Sequence, residues 1–173
     1  AVGYAIGRGI DVENVSVYSN RIDISSRGRK KPAPQVSGAK VRAESIFKAI
    51  DAASSMAKLF RETGCFHFAA LATTQGEVVD IVEDISRHCA LYKLIGRIRR
   101  RGLSTEDKLI VMSSRAASHL VEAIAFSEIG IAVFRGAPTS RAIEKADRLG
   151  VTLIAHARNN KFNIYTHGYR VEL

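Results

Sequence analysis

Apolar and polar residues alternate between positions 12 and 25 around Val15, Val17, Ile22 and Ile24, with Ser19-Asn20 between the two halves, which predicts a β-hairpin. The stretch SRGRKKPAPQVSGA at 26 to 39 mixes Gly, Pro and charge without a period and reads as a loop. From Arg42 to Arg61 the residues Ile46, Ile50, Met56, Ala57 and Phe60 recur at helical spacing, and Gly64 supplies a stop. FHFAALAT (66 to 73) and VVDIVEDI (78 to 85) flank Thr74-Gln75-Gly76-Glu77, the length and chemistry of a second hairpin. A helix over His88 to Arg101 precedes a strict alternation. It runs strand LIVMS (109 to 113), helix 116 to 128, strand IAVF (131 to 134), helix 138 to 149 and strand VTLIAHA (151 to 157). FNIYTH (162 to 167) closes as a short strand. Strands alternating with helices imply βαβ units, hence a parallel sheet covered on its faces.

The expected organisation is one domain over 1 to 173: an N-terminal hairpin region (1 to 25), a basic Pro/Gly loop (26 to 42) and an α/β core (43 to 173). With 46% apolar residues, the 173-residue chain can bury one substantial core. No apolar run is long enough for a membrane span and AVGYAIGRGI lacks the features of a signal peptide, so a soluble cytoplasmic protein is expected. The two cysteines, Cys65 and Cys89, read as reduced thiols. A formal charge of +9 favours phosphate-bearing partners of any kind. Part of it sits in two clusters, Arg27, Arg29, Lys30, Lys31 and Arg97, Arg99, Arg100, Arg101. Nucleic acid ranks behind the other anions because Trp is absent and no array of aromatics is offered for base stacking.

Two strand-to-helix junctions carry the clearest chemistry. Ser113-Ser114-Arg115 follows LIVM, and Arg135-Gly136-Ala137-Pro138-Thr139-Ser140 follows IAVF. In a parallel sheet both lie on one edge, where free helix amides and the helix dipole favour anions. Gly136 permits close backbone approach, Pro138 suits a first helical position, and Thr139 and Ser140 add hydroxyls. Simple helix capping explains the same residues. The segment His156-Ala157-Arg158-Asn159-Asn160-Lys161 leaves the same edge and either covers a nucleotide or forms an ordinary polar turn. Asn163, Thr166 and His167 put polar groups on one face of the last strand. In VEDISRHCALYKLIG, Asp84 or Ser86 can cap the helix, and Glu83 can pair with Arg87 or Lys93. Cys65-x-His67 and His88-Cys89 raise the question of zinc, but the His-x-Glu and Pro-Cys-x-x-Cys of the zinc deaminases are missing, so no zinc is expected. Cys65, near His67, is the nucleophile candidate.

TGCFHFAAL, GE at 76 to 77, EDISRHCALYKLIG, SSRAASHLV, GAPTSRAIEKADRLGVTL and NIYTH, in that order, resemble the pattern of the formate dehydrogenase accessory protein family over about residues 43 to 173. The resemblance implies a cytidine-deaminase-like mixed sheet with helices on both faces and no deaminase zinc. It also implies a sulfur carrier, which accepts persulfide sulfur from a cysteine desulfurase and passes it to the bis-guanine-dinucleotide molybdenum cofactor for the formate dehydrogenase apoenzyme. GDP would then be a partial mimic of the cofactor, and a homodimer is implied. Carried over by motif, the cofactor-binding turn falls on His156 to Lys161, with Ser113, Ser114, Arg115 and the 136 to 140 junction as phosphate contacts. The chain departs from the family pattern in one place. Where the family carries a Cys-x-x-Cys loop, this chain has SRGRKKPAPQVSG, without cysteine. A guanine-nucleotide or cofactor-binding chaperone that performs no sulfur transfer is therefore the alternative expectation.

Overall fold

The core strands are buried from end to end because both faces of their sheet are covered. The computed structural model describes residues 1–19, 21–29 and 38–173. Its main sheet has six strands in the order β5-β4-β6-β7-β8-β9. These are β4 (His67–Thr73), β5 (Val78–Asp84), β6 (Lys108–Met112), β7 (Ile131–Phe134), β8 (Thr152–Arg158) and β9 (Lys161–Ile164). Only β6, β7 and β8 run parallel; β4 is antiparallel to both β5 and β6, and β9 is antiparallel to β8. The parallel sheet expected from the βα alternation is thus the centre of a mixed one. The difference arises at hairpins, which the alternation rule does not cover: a short turn can join only antiparallel neighbours.

Period-two alternation divides the strands between two cores. Leu109, Val111, Ile131, Val133 and Ile154 face α2 (Ala43–Met56), which contributes Ile46, Ala49, Ile50 and Ala53. Ile110, Met112, Ala132, Phe134 and Leu153 face the other layer. That layer comprises α4 (Arg87–Arg101), α5 (Ser118–Phe126) and α6 (Ser140–Arg148). A helix at the start of the chain, α1 (Val2–Gly7), packs on α4 and was not expected from its two glycines. The glycines are the means of contact: a Cβ on Gly3 would lie 1.7 Å from the Tyr92 carbonyl oxygen. Tyr4 adds an edge-on ring contact with Tyr92 at 5.2 Å.

The first hairpin forms as expected, β1 (Ile10–Val17) against β2 (Ile22–Arg29). Strand β2 continues through Ser26 to Arg29, four residues into the expected loop, because pairing with β1 supplies the backbone partners that composition does not reveal. The rest of the basic Pro-containing stretch, 30 to 37, and Asn20 of the turn lie outside the described residues. A two-residue strand β3 (Val41–Arg42) pairs in parallel with β10 (Val171–Glu172).

The helix expected over 42 to 61 is two helices. The backbone breaks at Ala57, and α3 (Lys58–Thr63) starts in a new direction. Glu83 explains the start of α3. Its carboxylate accepts from the amides of Leu59 at 3.2 Å and Phe60 at 2.7 Å, which a helix N-terminus leaves without intrahelical partners. Glu83 is therefore not the partner of Arg87 or Lys93. Lys93 instead pairs with Asp84, and Ser86 caps α4. The Arg97–Arg101 cluster is partly structural, since Arg97 and Arg101 lie 2.8 and 3.4 Å from the buried carboxylate of Asp80.

One buried cation ties the C-terminal segment to the sheet. Arg170, 2% exposed, donates to the Gly150 carbonyl at 2.9 Å and to Thr152 Oγ1 at 3.0 Å. Arg170→Leu leaves those acceptors unpaired and should lower unfolding stability by about 2–4 kcal/mol. Exposed Arg100→Leu should change it by less than about 0.5 kcal/mol. Urea denaturation of the two variants tests the contrast.

Candidate functional site

The strand directions gather several chain segments along one edge of the sheet. The C-terminal ends of β5, β6, β7 and β8 and the N-terminal end of β4 all lie there. So do the N-termini of α4, α5 and α6, which follow β5, β6 and β7. The two junctions singled out from the sequence are hydrogen-bonded side by side. Gly136 N donates to Ser114 O at 3.1 Å, Ala116 N to Ala137 O at 3.1 Å, and Thr139 N to Ala116 O at 3.0 Å. His156 N then reaches Gly136 O at 3.2 Å, which joins the end of β8 to the same ridge. Glycine is required at position 136, because an added Cβ would stand 2.8 Å from Arg115 N and 2.9 Å from its Cα.

Several hydroxyls at this edge are already engaged. Thr139 Oγ1 accepts from Ala142 N at 3.2 Å, the capping explanation considered from the sequence. Ser113 Oγ accepts from Phe68 N at 3.0 Å and meets His67 Nδ1 at 3.2 Å, so it holds the start of β4 to the end of β6. The Ser114 hydroxyl is buried against Arg115 O at 3.2 Å. Arg115 and Ser140 are exposed. Helix α5 has no side-chain cap, which leaves its first amides facing the edge.

Asn159 and Asn160 form the two-residue turn between β8 and β9, with φ of 54° and 53°. Positive φ at both central residues is the primed hairpin turn that asparagine tolerates. His156, also left-handed at φ 53°, falls where the β8–β9 register shifts. The bend leaves Arg158 and Lys161 paired across the turn and exposed, while Ala157 is buried beneath them. His156, Arg158, Asn159, Lys161, Phe162 and Asn163 line an open cavity of about 450 Å³. His167 is elsewhere. It lies near the start of β8, where its carbonyl accepts from Thr152 Oγ1 and its Nε2 lies 2.9 Å from Asp147 O at the end of α6. Thr166 is buried there and bonds both Leu153 N and Val151 O. Alternation along the last strand could not show that it ends at Ile164 and turns to the opposite edge.

At the β4 end, the tertiary structure assembles a cluster that was not legible as one. His67 points to the α4–α6 side of the sheet. His88 on α4 and His119 on α5 meet through their Nε2 atoms, with ring centroids 4.3 Å apart. Arg87 is electrostatically close to all three rings, and its Nε is shut from solvent with no hydrogen-bond partner. Burial first, then neighbouring positive groups including Arg87, hold all three imidazoles below their ordinary pKa of 6.5, with Glu122 opposing the shift at His119. The only trace of His119 in the sequence was its place just after the Ser113–Arg115 junction. Cys65 and Cys89 are both exposed free thiols, and Cys65 precedes β4 on this edge. Among the described residues no group of three His, Cys, Asp or Glu side chains could hold a metal ion, and no helix is long and apolar enough to cross a membrane.

A family model described as FdhD/NarQ matches residues 8–172. The chain is 38% identical over 136 residues to a sulfur carrier protein FdhD of Geobacillus kaustophilus, covering 79% of this chain and 51% of that protein. It is 38% identical over 130 residues to its counterpart in Wolinella succinogenes, covering 75% and 45%. The chain thus spans about half the length of the curated relatives it matches. A crystal structure assigned as a formate dehydrogenase accessory protein from Desulfotalea psychrophila superposes with a TM-score of 0.84 at 25% identity, covering 99% of this chain and 76% of that one.

Two outcomes test the geometry of this edge. Gly136→Ala should cost about 1–3 kcal/mol in urea unfolding, because the new methyl meets backbone rather than a movable side chain. The depressed histidines set a pH dependence with a definite sign. Unfolding raises their pKa values toward 6.5, so the unfolded chain binds more protons near and below that pH. The stability they contribute is present above about pH 6.5 and is lost as pH falls through the depressed values. Combining His67→Gln, His88→Gln and His119→Gln should flatten the urea midpoint between about pH 7.5 and pH 5.5.

Proposed function

The chain belongs to the FdhD/NarQ family, and from that premise we propose that it is an accessory protein of formate dehydrogenase maturation that binds the guanine-dinucleotide end of the molybdenum cofactor. The observation that carries this reading is the hydrogen-bonded ridge running from Ser114 through Gly136 to His156. The uncapped N-terminus of α5, the exposed Arg115 and the Arg158/Lys161 turn lie along that same edge of the sheet. A cofactor ending in nucleoside diphosphates needs cations and free amides for its pyrophosphates, and donors and acceptors for its bases.

The residues present fit that demand. Arg115, Ser140 and the first amides of α5 and α6 would take phosphate oxygens. Arg158 and Lys161 would add charge from the turn, and the amides of Asn159, Asn160 and Asn163 would read the guanine edge beside Phe162. The committed hydroxyls of Ser113, Ser114 and Thr139 act by holding backbone in place. The strand order supports reading the fold as cytidine-deaminase-like. Cytoplasmic action as a homodimer, beside a cysteine desulfurase and the apoenzyme, follows from the same family reading.

Sulfur transfer would need a thiolate on this chain to accept persulfide sulfur from the desulfurase. Cys65 is the candidate, exposed and at the same edge as the ridge. A second reading is favoured by SRGRKKPAPQVSG, which holds no thiol: the protein escorts the cofactor as a binding chaperone without carrying sulfur.

Calorimetric titration with GDP, with ADP as control, tests the binding role. Saturable GDP binding should weaken by about tenfold in Arg158→Ala or Lys161→Ala, as loss of a charge-assisted contact predicts. No GDP binding, or equal binding of ADP, would refute the guanine site. Intact mass after incubation with a cysteine desulfurase separates the two readings. A gain of sulfur that disappears in Cys65→Ser supports the carrier, and no gain leaves the chaperone.

A further inference from the structure

We propose that His67, Arg87, His88 and His119 form an oxyanion subsite for a phosphate-type tetrahedral group, at the opposite end of the edge from the His156–Lys161 turn. Three strand spacings separate β4 from β8, roughly 14 Å, so one phosphate cannot touch both places. The subsite shares the first amides of α5 with the phosphate contacts proposed above, but none of its side chains belongs to the guanine-reading turn.

Four observations converge on an anion. His88 of α4 and His119 of α5 meet through their Nε2 atoms, and the Arg87 charge acts on both of them and on His67 of β4. Arg87 has no carboxylate within salt-bridge distance among the described residues, and its Nε–H is shut from solvent without an acceptor. A buried guanidinium N–H in that state calls for an acceptor, and an oxyanion supplies several. The helices add their own amides: α4 begins at Arg87, and α5, uncapped, begins one residue before His119.

The nearby carboxylates have other partners, although the Glu122 charge still acts on His119. Glu122, one turn after His119, holds Lys145 of α6 at 2.8 Å, and Asp84 of β5 holds Lys93. Glu83 binds the amides that open α3. Arg8, which follows α1, adds positive potential at His119, and Ser113, just after β6, lies 3.2 Å from His67 Nδ1. A metal ion fits less well. Only two imidazoles converge, and the Arg87 guanidinium repels a dication from the place they share.

The imidazoles give the subsite a proton linkage. Held neutral near pH 7, the His88–His119 pair uses one Nε2–H between its own rings; protonation adds a donor, and a bound anion favours the charged forms, so binding takes up protons and strengthens as pH falls. Sulfate is the clean probe, since its own charge stays constant over this range. Inorganic phosphate and GDP then distinguish a free oxyanion from a nucleotide phosphate.

The test follows the imidazole proton resonances of the whole chain by NMR during sulfate titration. Sulfate should shift His67, His88 and His119 saturably, and bind several-fold more tightly at about pH 5.5 than at about pH 7.5. Arg87→Gln should abolish the response, His119→Gln should weaken it, and Lys161→Ala should leave it intact. Matching shifts with GDP would make the group a nucleotide phosphate; sulfate and phosphate shifts without them would make it a free oxyanion, and the subsite stands in either case. Non-saturating shifts, or an unchanged response in folded Arg87→Gln, would overturn it. So would one-to-one zinc binding at His88 and His119 without any sulfate response. Failure of GDP alone would sink the guanine reading and leave the subsite standing.

Discussion

The close apposition of the β6–α5 and β7–α6 junctions is the constraint from which the candidate edge follows. Parallel strands must be joined by crossovers, and each crossover helix here begins beside the next. The two crossings are fused by backbone bonds among Ser114, Ala116, Gly136 and Thr139, at a separation that only glycine at 136 allows. Unpaired helix amides, themselves a consequence of helix geometry, therefore collect on one side of the protein. Shifting either junction would misplace the end of β8, because His156 hangs from Gly136.

Electrostatics along that edge are deliberately unbalanced. Carboxylates near it have structural partners: Glu83 opens α3, Asp84 holds Lys93, and Glu122 holds Lys145. Among the described residues Arg87, Arg115, Arg158 and Lys161 form no such pairs. The chain's +9 charge is consequently less informative than its distribution, since Arg97 and Arg101 of one basic cluster serve the buried Asp80. A surplus of positive charge remains where the helices begin.

The matching model covers residues 8–172, so it includes the N-terminal hairpin as well as the α/β core. The Ser113–Arg115 and 135 to 140 segments were readable as junctions because strand runs of buried residues stop abruptly at polar, helix-starting ones. The histidine cluster was not readable. His67 and His88 raise the question of a shared site in the sequence, but nothing there brings in His119, which looks like an isolated polar residue beside a core run.

What the sequence determined by itself was periodicity: which segments are strands or helices, which faces are apolar, and where turns of Asn-Asn or Thr-Gln-Gly-Glu must fall. These are local consequences of side-chain spacing and backbone freedom. Tertiary structure decided what spacing cannot express. It set β4 antiparallel to β6, broke the long helix at Ala57 so that Glu83 could cap α3, and carried His167 to the far edge. It also brought His88 and His119 into contact within reach of the Arg87 charge. Each of these depends on a partner distant in the chain, and the energy of such a pairing resides in the contact rather than in either segment alone.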